Sequence, residues 1–401
     1  MLEDVSSHAQ VEAARTDPIR VLIVGADVAG LTLAQLLRRA GLHPVLVERG
    51  DEGTDAGYML ALLPLATPVI DDLGLLDEFR AHTIEFDRYV IRTHRGATNK
   101  EYSMSGLLSR YGEYRGISRG ELMRLFATVG GTVTYRTTAT AIEQPEHGPA
   151  RVTLTTEGTS LTAEFDLVVV ADGLHSTTRK LAVPHAELDE VDTGWGGWVV
   201  WTPPFPDATT LGEEVWGAGA FVGSYPVAGQ NGVIVAGPND RTRSGPAEFV
   251  ARLRRELRHV DGRLDAILTA VAAADDPYYW YLTDCRTSSW RGRRVVLLGD
   301  AAVGFLPTAG IGACMAIESA WVLSRRLGTA SATKVPSTLA AFEAAQRPRV
   351  EAAQQNSRQL ANLMFNSSRT VAVLRDVATR LVPLQVALRP IRTLLETAPS
   401  V

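Results

Sequence analysis

The sequence predicts an α/β fold: a parallel sheet of buried strands, interrupted by a long insertion and followed by a helical tail. Three observations carry this reading. Apolar runs within residues 19–26, 166–173 and 293–300 each end in a turn containing Gly, Asp or both, the pattern of parallel strands covered on both faces. Residues 181–284 change character and are rich in Gly, Pro and Trp, with strand-like stretches such as GGWVVW and NGVIVAG, which suits a separate mixed sheet. From 336 onward the pattern is mostly helical, with Pro348, Pro383 and Pro390 expected to break it.

The elements follow in order. Residues 1–17, MLEDVSSHAQVEAARTD, are polar and lack the apolar core of a signal peptide; they read as a disordered leader. IRVLIVGA (19–26) is a buried strand, LTLAQLLRRAGL (31–42) a helix stopped at Gly41, and HPVLVERG (43–50) a second strand. This βαβ unit has the size of a mononucleotide-binding, Rossmann-like half. SRGELMRLFATV (118–129) is a helix with Ser118 as N-cap and Glu121 three residues on, a capping box. ARVTLTTEGTSLTAEF is a hairpin with its turn at Glu157-Gly158, and it feeds the strand DLVVVADG (166–173).

Composition bounds the function. A chain of 401 residues suits two interleaved domains. With 45% hydrophobic and 21% charged residues it has a soluble globular composition. A net charge of −5 gives no footing for nucleic acid. No apolar run is long enough for a transmembrane segment. The two cysteines, Cys285 and Cys314, form neither a disulfide framework nor a metal spacing. They read as free thiols of a reducing, cytoplasmic compartment, and no metal is expected.

Four pieces carry chemistry. The first is the strand–turn–helix Gly25-Ala26-Asp27-Val28-Ala29-Gly30, a G-x-G-x-x-G dinucleotide loop with Asp27 in its middle glycine place. Glu48, followed by Arg49, stands at the end of the second strand, where a carboxylate accepts from ribose hydroxyls. The second is Arg119 at a helix start. The third is Asp172-Gly173 at a strand end, with Ser176 and Arg179 beyond. The fourth is Gly299-Asp300 at another strand end, then Pro307 and Gly310-Ile311-Gly312 before a helix. The N-terminus of that helix would offer unpaired amides to an electron-rich group. GAGAFVG (217–223) contains a G-x-G but opens no helix, so it is not read as a phosphate loop.

With these residues the chain resembles the single-component, group A flavoprotein monooxygenases of the para-hydroxybenzoate hydroxylase type. The resemblance rests on residues 25–30, 172–173, and 299–300 with 307–312, in the family's order, over about 18–350. It implies an FAD-binding domain with an inserted substrate domain. It implies FAD as cofactor, NAD(P)H as transient reductant, and oxygen transfer from O2 through a flavin C4a-hydroperoxide. Asp300 would contact the ribityl chain, and Arg119 the diphosphate and ribityl region. Asp172 and Gly173 would serve FAD and NAD(P)H, and Gly310 and Gly312 would lie beside the flavin ring. The domains are then expected at 18–80, 111–180 and 285–345 for FAD, 81–110 and 181–284 for substrate, and 346–401 for C-terminal helices.

The chain departs from the family at Asp27, and at Val303, Cys314 and Ser319, where the family commonly has His, Asn and an acid. Asp27 adds bulk and a charge facing a diphosphate, a repulsion of about 1–4 kcal/mol between screened unit charges. Unless Asp27 caps the helix or turns outward, the loop is poorer for FAD. An alternative reading follows: a flavin-free cyclase or isomerase on the same fold.

On the substrate side, Trp195 and Trp201 would share one strand face, with Trp198 on the other. Trp195, Trp201 and Tyr281 are the candidate walls of a pocket for a bulky apolar or aromatic small molecule, of the kind met in secondary metabolism or aromatic catabolism. The expected reaction is hydroxylation or epoxidation. No residue is singled out as a catalytic acid, base or nucleophile, and His175 reads as an exposed loop histidine.

Overall fold

The computed structural model describes residues 1–52, 57–328 and 330–400. The strands Val295–Leu297, Leu167–Val170, Val21–Val24 and Val45–Val47 form one parallel sheet in that order. All fourteen of their residues are buried, as a sheet covered on both faces requires. The helices Val28–Arg39 and Gly312–Leu327 pack together beside it. The hairpin strands Ala150–Thr156 and Thr159–Phe165, with Thr137–Glu143, contribute Ala150, Val152, Leu154 and Phe165 to the same core.

A second, seven-stranded sheet runs Tyr278–Thr287, Leu188–Thr202, Gln230–Pro238, Phe221–Val227, Leu211–Trp216, Arg88–Arg92, Thr98–Ser103. It is mixed: Leu211–Trp216 pairs parallel with Arg88–Arg92 and the other pairs are antiparallel. One face packs on the helices Pro246–Glu256 and Gly262–Ala272 through Trp198, Val215, Phe249 and Leu268. The other carries Trp216, Phe221 and Ile234 toward Leu306 and Met364. The G-x-G at 217–219 is the hairpin turn between two of these strands, closed by Gly217 N–H donating to Ala220 O.

Two sequence expectations are corrected. Residues 1–17 are not a disordered leader. Glu3–Asp4 pairs parallel with Thr132–Val133, and the helix Ser7–Ala13 buries Gln10. The Gln10 amide donates to Leu46 O and accepts from Leu46 N–H, so it clamps the sheet-edge strand. That polar residue inside an acidic stretch gave no apolar signal. Pro348 does not break the tail either: the helix Val335–Met364 runs through it. After it come Arg369–Leu381, Leu384–Ala387 and Arg389–Glu396, with Pro383 between helices and Pro390 in a first turn, where its missing N–H costs nothing. Among the described residues no helix is long and apolar enough to cross a membrane.

Candidate active site

The Gly25–Gly30 loop is shaped by backbone contact. Gly25 has φ +104°, and a Cβ there would collide with the Ala171 carbonyl at the end of the neighbouring strand. A Cβ at Gly30 would overlap the Gly25 carbonyl oxygen. Both glycines are therefore required to lay the turn against the sheet and start the helix close to it.

Asp27 faces a different environment from the one its sequence position suggests. Its Oδ1 accepts from Val28 N–H at 2.7 Å, at the helix start, and from Arg119 Nε at 3.0 Å. Arg119 is placed by the N-cap of its helix: Ser118 Oγ accepts from Glu121 N–H at 3.1 Å, and Arg119 N–H donates to Tyr58 O at 3.0 Å. The Glu121 carboxylate pairs with His82 and Arg124 instead of closing a capping box. The middle place of the fingerprint thus holds an ion pair rather than a lone negative charge. Glu48 binds the same loop, accepting from Ala26 N–H at 2.8 Å and from Gly50 N–H at 2.7 Å, while Arg49 is exposed.

The other two strand-end motifs meet this loop at the carboxyl edge of the parallel sheet. Asp172 Oδ2 accepts from Thr178 N–H at 3.3 Å. Its Oδ1 is buried without a hydrogen-bond partner among the described residues. Arg179 ties the two turns together, donating to Leu174 O at 2.9 Å and Ala301 O at 2.7 Å. Burial pushes the Asp300 carboxyl up to about 7; Asp27 adds to the rise and Arg179 opposes it. Gly310 takes the left-handed conformation at φ +57°, which lets the chain turn into the helix beginning at Gly312.

A cavity of about 660 Å³ joins these loops to the inner face of the seven-stranded sheet. Asp27, Ala29, Gly173, Asp300, Pro307, Gly310 and Gly312 line one end. Tyr58, stacked on Trp280 at 4.6 Å between ring centroids, stands on its wall. The far end holds Tyr89, Tyr114, Glu214, Trp216 and Tyr225. Ala378, Thr379 and Val382 of the C-terminal segment complete the lining. Arg375, from the same helix, spans to the sheet by donating to Trp216 O and Gly217 O and to Leu363 O and Met364 O.

The three candidate wall residues are corrected. Trp195 is buried behind the wall and stacks on Phe365 at 5.1 Å, and it is Phe365 that faces the cavity. Trp201 lies outside the lining, near the end of its strand. Tyr281 is 63% exposed. Of the YYWY run, strand alternation sends Trp280 inward, while Tyr279 packs against Trp198 on the other face. The departures at Val303, Cys314 and Ser319 remove nothing from the cavity: all three are buried and none lines it. The Cys314 Sγ accepts from Leu63 N–H at 3.2 Å, and burial pushes its thiol up to about 12.

Sequence reasoning missed Glu214, the aromatic residues around it and the C-terminal helix. A signal for the first existed. In LGEEVW, Glu213 and Glu214 must face opposite sides of a strand. Glu213 pairs with Arg92 and Arg263 on the helix-covered side, so Glu214 and Trp216 had to share the inner side.

Comparison with known proteins agrees with this geometry. The FAD binding domain family matches residues 18–357. The chain is 31% identical over 360 residues to the 3-amino-4-hydroxybenzoate 2-monooxygenase PtnB3 of Streptomyces platensis, covering 85% of this chain and 87% of that one. It is 30% identical over 377 residues to the 2-heptyl-3-hydroxy-4(1H)-quinolone synthase of Pseudomonas aeruginosa, covering 90% and 94%. In fold it matches Klebsiella pneumoniae HpxO, solved with FAD and uric acid, with a TM-score of 0.82 at 20% identity over 95% of this chain and 97% of that one. The chain belongs to the FAD-binding-domain family and is an FAD-dependent, group A flavoprotein monooxygenase.

Proposed function

We propose that this protein is an NAD(P)H-driven monooxygenase that hydroxylates or epoxidises a bulky, largely apolar aromatic molecule with O2. The observation that carries this reading is the continuity of one cavity from the glycine loops to the aromatic wall. Secondary metabolism suits it, since relatives such as PtnB3 act on substituted aromatic rings. Two unpaired, buried cysteines suit a cytoplasmic setting.

The residues present fit FAD. Asp27 is paired with Arg119, so the loop does not present an uncompensated anion to a diphosphate. The orphaned Asp172 Oδ1 is an acceptor waiting for a donor, and a Cβ at Gly173 would have open space around it. In this reading Gly25, Asp27, Ala29, Gly30 and Arg119 hold the diphosphate, with Glu48 and Arg49 at the ribose end. Asp172, Gly173 and Asp300 hold the middle of the cofactor, and Pro307, Gly310 and Gly312 border its ring. When bound, FAD supplies the redox and oxygen-activating chemistry. The chain supplies the rest. The amides opening the helix at Gly312 favour negative charge beside them. Asp300, titrating near neutrality, holds or releases a proton at its carboxyl. The aromatic wall and the C-terminal helix exclude water from the reacting ring.

The test is direct. Purified protein, reconstituted with FAD, should show flavin absorbance and oxidise NAD(P)H faster when a bulky aromatic such as 2-naphthol is added. A protein that stays colourless with added FAD, yet converts an apolar substrate without NAD(P)H or O2, would establish the cyclase or isomerase alternative instead.

A further inference from the structure

Glu214 is a carboxyl buried to 5% exposure at the aromatic end of the cavity wall. Its partners are all donors. Trp216 Nε1–H donates to Oε2 at 2.6 Å, the Tyr225 hydroxyl donates to Oε1, and the Tyr89 hydroxyl also bonds the carboxyl. An indole N–H can only donate, so Oε2 is an acceptor. Burial raises the Glu214 pKa, and the hydrogen bonds from Tyr225, Tyr89 and Trp216 oppose that rise without cancelling it.

The tyrosines matter for what they have left. A hydroxyl that spends its hydrogen on Glu214 retains only lone pairs. Tyr89 and Tyr225 also bond each other, so what the pair keeps for the cavity is its remaining lone pairs, beside the Glu214 carboxyl. Arg375 is a cation at this end: it lines the cavity and lies over the Trp216 ring at 5.7 Å. Its terminal nitrogens already donate to four backbone carbonyls, so its charge remains but it offers no terminal N–H to a bound carboxylate. Arg119, at the opposite end, is held by Asp27.

We propose that Glu214, with Tyr89 and Tyr225, is the specificity-determining group of the cavity: it selects aromatic substrates that present an O–H or N–H donor to it and rejects aromatic carboxylates. This rests on the reading of the cavity as the substrate site. A donor-bearing ring satisfies the acceptors. An ether in the same place leaves them unpaired, and a carboxylate sets acceptor against acceptor.

Isothermal titration of the FAD-reconstituted protein with 2-naphthol, 2-methoxynaphthalene and 2-naphthoate tests this. Binding is read separately from NAD(P)H oxidation, so a failure of the oxygenase reading and a failure of this one look different. The expected order is naphthol, then ether by about tenfold, then carboxylate, weaker still. In Glu214→Gln the naphthol-to-naphthoate ratio should shrink by about tenfold or more, with FAD content unchanged. Tyr225→Phe should reduce the naphthol-over-ether preference even if the first variant fails to fold. Naphthoate binding as tightly as naphthol, unchanged ratios in the variants, or no binding of any probe would overturn the proposal.

Discussion

At the Gly25–Gly30 end the cavity wall is backbone: turns that only glycine permits, amides at helix starts, and carboxylates fixed by neighbouring N–H groups. At the Glu214 end the wall is side chains, contributed by strands Arg88–Arg92, Leu211–Trp216 and Phe221–Val227 and by the helix Arg369–Leu381. The first end can recognise a cofactor that never changes. The second can be rebuilt one side chain at a time without disturbing the fold. This division explains how such a scaffold can keep its cofactor while its substrate varies.

The comparison can be broken most severely at Gly30. Ala is a better helix former than Gly by about 1 kcal/mol, yet its Cβ would overlap the Gly25 carbonyl oxygen. Gly30→Ala should therefore destabilise by about 4 kcal/mol or more, the range of severe core strain, and yield little folded protein by thermal unfolding. A variant as stable as the wild type would show that the loop is not held by backbone contact.

Next in size are the carboxylates of the cofactor end. Asp300→Ala should lower FAD occupancy more than Glu48→Ala, because Asp300 lies in the cavity and Glu48 already serves Ala26 and Gly50. Flavin-to-protein absorbance ratios decide it, and equal losses would contradict the assignment. Asp300 also sets a pH dependence. Its carboxyl, pushed up to about 7, keeps its proton in the folded chain where an unfolded aspartate loses it near pH 4. The stability tied to that proton is full below about pH 4 and is lost as pH rises to about 7. In flavin-free protein, Asp300→Asn should gain over the wild type between pH 5 and pH 8, by about 2–4 kcal/mol at most. A gain independent of pH would contradict the shift.

The smallest effect sharpens the other end. Tyr281 is exposed and outside the cavity, so Tyr281→Ser should change stability by less than about 0.5 kcal/mol and leave aromatic-stimulated NAD(P)H oxidation intact. A large loss of stimulation would return Tyr281 to the substrate wall.

These two ends also differ in how they read from sequence. The cofactor end is local: Gly25, Asp172, Asp300 and Gly312 each sit in a short motif whose strand–turn context is visible within ten residues. What the motif hid was Arg119, 92 residues from Asp27, whose N-capped helix was legible but whose partner was not. The substrate end has no local signature. Trp195 and Tyr281 were reasonable aromatics, but their inward or outward direction depends on the irregular pairing between Asp192 and Gly196. Glu214 announced itself only through the alternation of one strand. Gln10 and the C-terminal lining act through tertiary contacts that no periodicity encodes.

The central claim is that Arg119 makes Asp27 compatible with a bound diphosphate. Titrating FAD into wild type, Arg119→Met, Asp27→Gly and the double variant tests it. Arg119→Met should weaken FAD by about tenfold to a hundredfold, since it removes a cation and exposes the Asp27 charge. Asp27→Gly should tighten it modestly by removing the Cβ and the charge, at a few tenths of a kcal/mol in helix capping. In the Asp27→Gly background, losing Arg119 should cost less than it does in the wild type. An Arg119→Met variant that binds FAD as well as the wild type, or additive effects of the two substitutions, would contradict the account.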